Sequence, residues 1–128
     1  MTTDLTMLAL SALLTIVLAF PPVIALMMTK GLPFAAGNRD GPYELPVWAE
    51  RAGRAHRNML ENLPVFAALV LVAHVAGASS SATALGATLF FWGRVAHAAV
   101  YLMGIAYLRT AAFGVSLVGL GIIAGEIL

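Results

Sequence analysis

The chain has 128 residues, of which 61% are hydrophobic and 10% are charged, and its formal net charge is +1. A soluble domain carries roughly 45–50% apolar and about 25% charged residues, so this chain has too few charged side chains to cover a soluble protein. The composition therefore excludes an ordinary soluble enzyme and a disordered chain. The small net charge excludes a nucleic-acid binder, because it provides no basic field for phosphates.

Four apolar segments predict four membrane-spanning helices. A spanning helix needs about 20 apolar residues, within a range of about 17–25. Four segments are long enough, namely 5–28, 47–76, 82–107 and 111–127. Residues 30–46 are rich in glycine and proline and are expected to form a polar loop. The simplest fold is all-α, with residues 1–128 forming one transmembrane domain built as an up-and-down four-helix bundle.

The positions of the basic residues predict the orientation in the membrane. Five of them lie between the start of the loop and the first turns of the second helix, namely Lys30, Arg39, Arg51, Arg54 and Arg57. Arg109 separates the third and fourth segments, and the opposite side carries no lysine or arginine. We therefore expect both termini in the periplasm and the charged loops in the cytoplasm. The chain has six arginines and one lysine, which favours a bacterial origin. We therefore expect the protein to lie in a bacterial inner membrane.

The second helix carries a polar arc. At 100° per residue, six side chains fall within about 120° of one another: Glu50, Arg51, Arg54, Arg57, Asn58 and Glu61. Anchoring at the membrane surface explains Arg51. Asn58 and Glu61 lie deeper, where a carboxylate costs ~2.5–3.5 kcal/mol on insertion scales. The arc therefore indicates a functional site.

The third segment continues this theme. Arg94, His97 and Tyr101 are spaced i, i+3 and i+7, within about 60° of one another. Ordinary packing explains His97 and Tyr101 alone, but an arginine in mid-helix needs a partner, for which Glu61 is a candidate. The three histidines are scattered and cysteine is absent, so we expect no metal site. In the last segment, Gly121 and Gly125 form a small-residue pair that favours oligomerisation.

The second helix carries the motif Glu50-Arg51, Arg54-Ala55-His56-Arg57-Asn58, Glu61 and Pro64. This motif resembles the membrane-associated proteins in eicosanoid and glutathione metabolism, the MAPEG family. It is closest to the microsomal prostaglandin E synthase branch, as is the third-helix run Gly93-Arg94-Val95-Ala96-His97 with Tyr101-Leu102. The likeness covers nearly everything from Leu5 to Leu128. The chain differs from that branch at Thr110 and Phe113, where the branch has serine and tyrosine.

The resemblance implies a homotrimer that binds glutathione in a cytoplasm-facing cleft between neighbouring subunits. Glutathione contacts would come from one subunit through Arg57, Asn58 and Glu61, and from a complementary wall formed by Arg94, His97, Tyr101 and Arg109. Arg54 would support Glu61, and Thr110 would also contact the tripeptide. Arg109 would stabilise the thiolate, with Tyr101 as a hydrogen-bond donor to it.

The function implied is a glutathione-dependent membrane transferase or peroxidase for lipophilic electrophiles or lipid hydroperoxides. Glutathione carries two carboxylates that arginines can hold bidentately, and an adjacent guanidinium group lowers a thiol pKa from about 8.5. A non-catalytic scaffold or sensor of the same fold is the main alternative. A small multidrug transporter is a weaker one, because the first segment, Leu5 to Met28, lacks the embedded carboxylate that such a transporter needs.

Overall fold

The computed structural model covers residues 1–128 and contains helices only. In chain order these are α1 (Thr3–Lys30), α2 (Leu32–Ala36), α3 (Val47–Val75), α4 (Ser81–Met103) and α5 (Ala106–Ile127). The helices α1, α3 and α5 are each long and apolar enough to cross a membrane. With 23 residues, α4 is about 34 Å long, which also suffices, but Arg94 and His97 lower its hydropathy. The chain is an integral membrane protein built as a helical bundle.

The pair α3 and α4 forms the centre of the bundle. Both α1 and α5 pack against this pair, and they lie on opposite sides of it because α1 makes no contact with α5. In the middle of the core, Phe66 of α3 stacks on Phe90 of α4 with ring centroids 4.0 Å apart. Both rings are fully buried. Anything that touches α3, α4 and α5 together therefore lies on the side away from α1.

Two glycines allow α4 and α5 to pack backbone against backbone. A Cβ atom added to Gly86 would lie 2.6 Å from the carbonyl oxygen of Gly119, and one added to Gly119 would be at least as crowded against Gly86. Further along the same contact, a Cβ on Gly93 would lie 2.9 Å from the backbone nitrogen of Ser116. These distances leave no room for a side chain, so the three small residues fix how α5 lies on α4.

The turn between α4 and α5 comes earlier than the sequence predicts. We expected the third helix to reach Tyr107 and the fourth to begin at 111, but α4 ends at Met103 and α5 begins at Ala106. Gly104 adopts the left-handed conformation with φ 77°, and its N–H donates to the carbonyl of Tyr101. A left-handed glycine at this position ends a helix. Arg109 consequently lies in the first turn of α5 rather than in a loop.

The first helix includes a carboxylate that the predicted span left out. Asp4 lies in the first turn of α1 and is buried, with its Oδ2 atom lacking a hydrogen-bond partner. Thr2 caps this helix by accepting a hydrogen bond from the N–H of Leu5. A negative side chain in the first turn is stabilised by the positive end of the helix dipole. The predicted span Leu5 to Met28 itself contains no carboxylate; the helix includes one because it begins at Thr3, so Asp4 lies at its end and not in its middle.

The predicted loop 30–46 contains the short helix α2. The Nζ atom of Lys30 lies 5.1 Å from the ring centroid of Phe34, and the Phe34 ring meets the Tyr43 ring edge to face at 5.5 Å. These contacts hold the loop against the end of α1, close to the start of α3.

Candidate functional site

Three cavities lie at the end of the bundle where α3 begins, two of them beside the turn between α4 and α5. The first, called the Asn58 cavity here, has a volume of about 270 Å³. Its lining residues are Asn58, His97, Tyr101, Arg109, Thr110 and Phe113. A smaller cavity of about 80 Å³, the Arg51 cavity, lies beside it, and a third of about 490 Å³, the Tyr43 cavity, lies between α1 and α3.

The Asn58 cavity is polar and lacks a negative charge. The guanidinium carbon of Arg109 lies 4.6 Å from the ring centroid of Tyr101, and the His97 ring meets the same ring edge to face at 5.4 Å. The Thr110 hydroxyl donates to the carbonyl of Ala106 at 3.3 Å, which leaves its oxygen free to accept. Because the lining contains a cation, an amide and an imidazole but no carboxylate, the cavity suits an anionic ligand with polar groups.

Arg94 lies behind this cavity and holds Asn58 in place. Its side chain is 1% exposed, and its Nη2 atom donates to Asn58 Oδ1 at 2.6 Å. Asn58, and not Glu61, is therefore the partner of the buried arginine. This hydrogen bond assigns the Asn58 oxygen to Arg94 and leaves the Asn58 NH₂ group as a donor to a ligand. Arg94 does not line the cavity, so it acts on a ligand only through Asn58.

Two further nitrogens of Arg94, Nε and Nη1, are buried without a hydrogen-bond partner. The guanidinium carbon lies 5.9 Å from the ring centroid of Phe113, which lines the Asn58 cavity. A buried cation with one hydrogen bond is costly, and such a charge is retained in a protein interior mainly where it supports a site.

The polar arc of α3 is divided among different surroundings. Arg54 borders both the Arg51 and the Tyr43 cavities, and its guanidinium carbon lies 6.0 Å from the Tyr101 ring centroid. Arg57 lines the Tyr43 cavity together with Glu50. Glu61 is exposed and lines none of these cavities. The division follows from the fold, because α1 covers one flank of α3 while α4 and α5 cover the other.

One chain brings together residues that the resemblance assigns to two walls. Asn58 lines the same cavity as His97, Tyr101 and Arg109, without a second subunit. Arg57 and Glu61, which the resemblance groups with Asn58, point elsewhere in the single chain.

Among the cavity residues that are absent from the sequence-based site, Phe113 and Arg51 stand nearest to its predicted members. Phe113 lines the Asn58 cavity, and its spacing of four residues from Arg109 places both on one face of α5. That spacing could have identified it once Arg109 was known to be helical. Arg51 lines the smaller cavity, although the sequence favoured a surface anchor. Only the turn at Gly104, against which the Arg51 guanidinium group packs, reveals its position.

Comparisons with known proteins agree with this architecture. The model of the MAPEG family matches residues 5–128. The match includes nearly all of α1, the whole of α3, α4 and α5, and every residue that lines the three cavities. A comparison with curated protein sequences finds no match. Because the family match extends over almost the entire chain, this protein belongs to the MAPEG family.

Proposed function

We propose that the protein is a glutathione-dependent membrane transferase or peroxidase that acts on lipophilic electrophiles or lipid hydroperoxides. The observation that carries this proposal is the Asn58 cavity, in which Arg109 and Tyr101 lie together beside Asn58, His97 and Thr110. Membership of the MAPEG family supports it, because the family is associated with glutathione-related chemistry in membranes.

The cavity matches the chemistry of glutathione. The two carboxylates of the tripeptide need cationic and amide donors, while its ammonium group needs an acceptor, a part that Glu61 would take across a subunit boundary. Arg109 and the Asn58 NH₂ group supply such donors, and Thr110 adds a hydroxyl group. The volume of about 270 Å³ lies just below the range for small-molecule sites, about 300–1,000 Å³. An open cavity of this size is consistent with a site that a neighbouring subunit completes.

Arg109 is the residue that would activate the thiol. A guanidinium group beside a thiol favours the thiolate, which is the nucleophilic form. The Tyr101 ring lies against the Arg109 guanidinium group, and its hydroxyl group would donate a hydrogen bond to the sulfur. His97, packed edge to face on Tyr101, would hold the tyrosine ring and contact the peptide.

The reaction needs no cofactor other than glutathione. In the transferase reaction, the thiolate attacks an electrophilic carbon, a carbon–sulfur bond forms and the leaving group departs with its electron pair. In the peroxidase reaction, two molecules of glutathione reduce one hydroperoxide to an alcohol and water and form one disulfide. The second substrate is apolar in both cases and would enter from the bilayer beside α4 and α5.

We further propose the assembly that the resemblance implies, a homotrimer in a bacterial inner membrane with both termini in the periplasm. Arg57 and Glu61 would then contact glutathione across a subunit boundary, which explains why neither lines the Asn58 cavity of its own chain. Gly121 and Gly125 meet nothing within 4 Å in the single chain, so that face of α5 is free for lipid or another subunit.

The proposal is tested by activity with glutathione and an aryl halide or a lipid hydroperoxide, using protein in lipid nanodiscs. We expect Arg109→Ala to lower kcat/KM by about 10²-fold or more, the usual cost of removing a group that stabilises developing negative charge. Arg39→Ala removes the same charge from an exposed position in the loop and serves as the matched control. It should leave the rate unchanged.

Glutathione binding, measured by calorimetry on the same samples, separates the alternatives. Turnover by Arg109→Ala at the wild-type rate would contradict the catalytic role of Arg109. Binding of glutathione to the wild-type protein without turnover of any electrophile would indicate a sensor or scaffold. Native mass spectrometry of the same preparations tests the trimer, for which we expect three chains of 13.4 kDa each.

A further inference from the structure

The Arg51 cavity concentrates positive charge without a protein counterion. Three arginines line it, namely Arg51, Arg54 and Arg109, and the other lining residues are Tyr101, Gly104, Ile105 and Ala106. No carboxylate is among them. The arginines whose side chains donate hydrogen bonds within the chain are Arg39 and Arg94, and neither belongs to this cavity. The three guanidinium groups are therefore available to an external acceptor.

The fold holds these groups in place. The guanidinium groups of Arg54 and Arg109 both lie over the Tyr101 ring, at 6.0 Å and 4.6 Å from its centroid. The Arg51 guanidinium group packs on Gly104, where an added Cβ atom would lie 2.7 Å from Nη1 and 2.8 Å from the guanidinium carbon. The glycine that ends α4 thus also makes space for Arg51. Long cationic side chains fixed in this way lose less entropy on binding an anion than freely moving ones.

The start of α5 adds backbone donors at the same place. Ile105 is the N-cap of α5 and makes no capping hydrogen bond with its side chain, and the first turn contains no acidic residue. Ile105 and Ala106 both line the cavity. The first N–H groups of a helix lack partners within the helix, and together with the helix dipole they favour a negatively charged group. The N–H group of Ile105 is not among these free donors, because it donates to the carbonyl of Val100 at the end of α4; the donors are those of Ala106 and the residues that follow it.

We propose that the Arg51 cavity is a second anion site, which binds a phosphate group. A volume of about 80 Å³ holds two to three water molecules, at about 30 Å³ each, and so a group the size of a phosphate. Planar guanidinium groups match the oxygens of a phosphate bidentately. The site is distinct from the Asn58 cavity, because Arg51, Arg54 and Gly104 do not line that cavity, although Arg109 and Tyr101 border both.

The surroundings favour a lipid headgroup as the source of the phosphate. Met103, Tyr107 and Leu108 flank the cavity in sequence and expose their apolar side chains, with Tyr107 92% exposed. Aromatic and apolar side chains at the end of a membrane helix lie at the level of the lipid headgroups. The same oxygens occur in free phosphate, so the experiment below compares both sources. Arg51, which the experiment changes, does not line the Asn58 cavity, so the test of this site is separate from the test of glutathione binding.

The test measures binding by calorimetry to detergent-solubilised protein with three probes: short-chain phosphatidylglycerol, short-chain phosphatidylcholine and inorganic phosphate. We expect the wild-type protein to bind phosphatidylglycerol more tightly than the zwitterionic lipid. Arg51→Gln should weaken this binding about tenfold, because it removes one bidentate charged partner. Arg39→Gln makes the same change at an exposed arginine in the loop and should bind like the wild type. Glutathione binding should be the same in all three proteins.

The probes also identify the source of the anion. If the Arg51 substitutions weaken the binding of phosphatidylglycerol alone, the site binds a lipid headgroup. If they also weaken the binding of inorganic phosphate, the free anion binds there too. Arg51→Lys keeps the charge but loses the planar pair of donors, so it should still weaken binding. It takes the place of Arg51→Gln if the Arg51→Gln protein does not fold. Equal binding by the wild type and the Arg51 variants, or an equal loss in Arg39→Gln, would overturn the proposal.

Discussion

The hydrogen bond between Arg94 and Asn58 connects a buried charge to the surface of a cavity. Asn58 is half-buried, whereas Arg94 is almost completely buried, so the pair spans the boundary between core and site. The Asn58 amide can present either its oxygen or its NH₂ group to a ligand, and Arg94 selects the NH₂ group. A residue that never reaches the cavity thereby decides which group the cavity offers.

Asn58→Ala is expected to lower the free energy of unfolding by about 1.5–3 kcal/mol, the usual worth of a hydrogen bond to a charged group. The change leaves the Arg94 guanidinium group buried without any hydrogen-bond partner in the chain. Unfolding in mixed detergent micelles, followed by far-ultraviolet circular dichroism, measures the loss.

Asn62→Ala is the matched control for this substitution. The Asn62 side chain bonds only to Asn58, chiefly to its backbone carbonyl at 2.8 Å, and leaves no buried charge behind. Its loss should be the smaller of the two. Equal destabilisation by both variants would show that the bond between Arg94 and Asn58 contributes nothing particular to stability.

Tyr101→Phe separates the hydroxyl group of this tyrosine from its ring. The ring supports Arg109 and Arg54, and phenylalanine keeps it, so glutathione binding should be retained. If the hydroxyl group donates to the thiolate, kcat should fall about tenfold, the equivalent of one hydrogen bond. Tyr107→Phe removes a hydroxyl group from a ring that is 92% exposed and should not alter kcat. An unchanged kcat in Tyr101→Phe would exclude the proposed donor.

The contact between α4 and α5 determines the position of the candidate site. His97 and Tyr101 come from α4, while Arg109, Thr110 and Phe113 come from α5. The close approach at Gly86 and Gly119 lies several turns away from these residues, toward the other end of both helices. Because helices are stiff, a change that pushes α4 and α5 apart at these glycines also moves the helix ends that carry the site residues.

Gly119→Ala is expected to destabilise the protein by about 1–3 kcal/mol, the usual cost of overpacking a tight contact. Its Cβ atom would lie well inside contact distance of the Gly86 carbonyl oxygen, which belongs to backbone and cannot turn aside. Gly121→Ala is the matched control on the same helix, because its Cβ atom would meet nothing within 4 Å. That change should be neutral or slightly stabilising, since alanine favours a helix over glycine.

The same unfolding measurement in detergent micelles compares the two glycine variants, and glutathione binding should fall only in Gly119→Ala. A Gly119→Ala variant as stable as Gly121→Ala would mean that the two backbones do not approach as closely as the structure shows.

The residues that line the Asn58 cavity come from α3, α4 and α5, so a ligand in this cavity binds the folded bundle and not the unfolded chain. Glutathione at 100 times its Kd should add about 2.7 kcal/mol to the free energy of unfolding. The midpoint of thermal unfolding should rise with glutathione in the wild type and in Arg39→Ala, and much less in Arg109→Ala. An equal rise in all three proteins would place glutathione at another site.

The sequence predicts much of this molecule because its strongest signals are local. Apolar length alone indicates the helical membrane bundle, which the helices and the family match confirm. The sequence places the C-terminal end of α4 too late, because Gly104 lies within an otherwise apolar run. Only the left-handed φ of Gly104 shows that the helix ends there. Periodicity places the arc on one face of α3, but it does not reveal which neighbouring helix covers each side of that face. Consequently the sequence could not distinguish the inward Asn58 from the exposed Glu61.

The placement of α1 and α5 on opposite flanks gives the protein two unlike sides at one end. One side carries the Tyr43 cavity with Arg57 and Glu50, and the other carries the Asn58 cavity with Arg109. If one of these surfaces binds the other on a second copy, the contact is front to back, and such contacts produce a closed ring when the rotation between copies divides a full circle. In a ring every copy gives one side and receives the other, so the number of composite clefts would equal the number of chains.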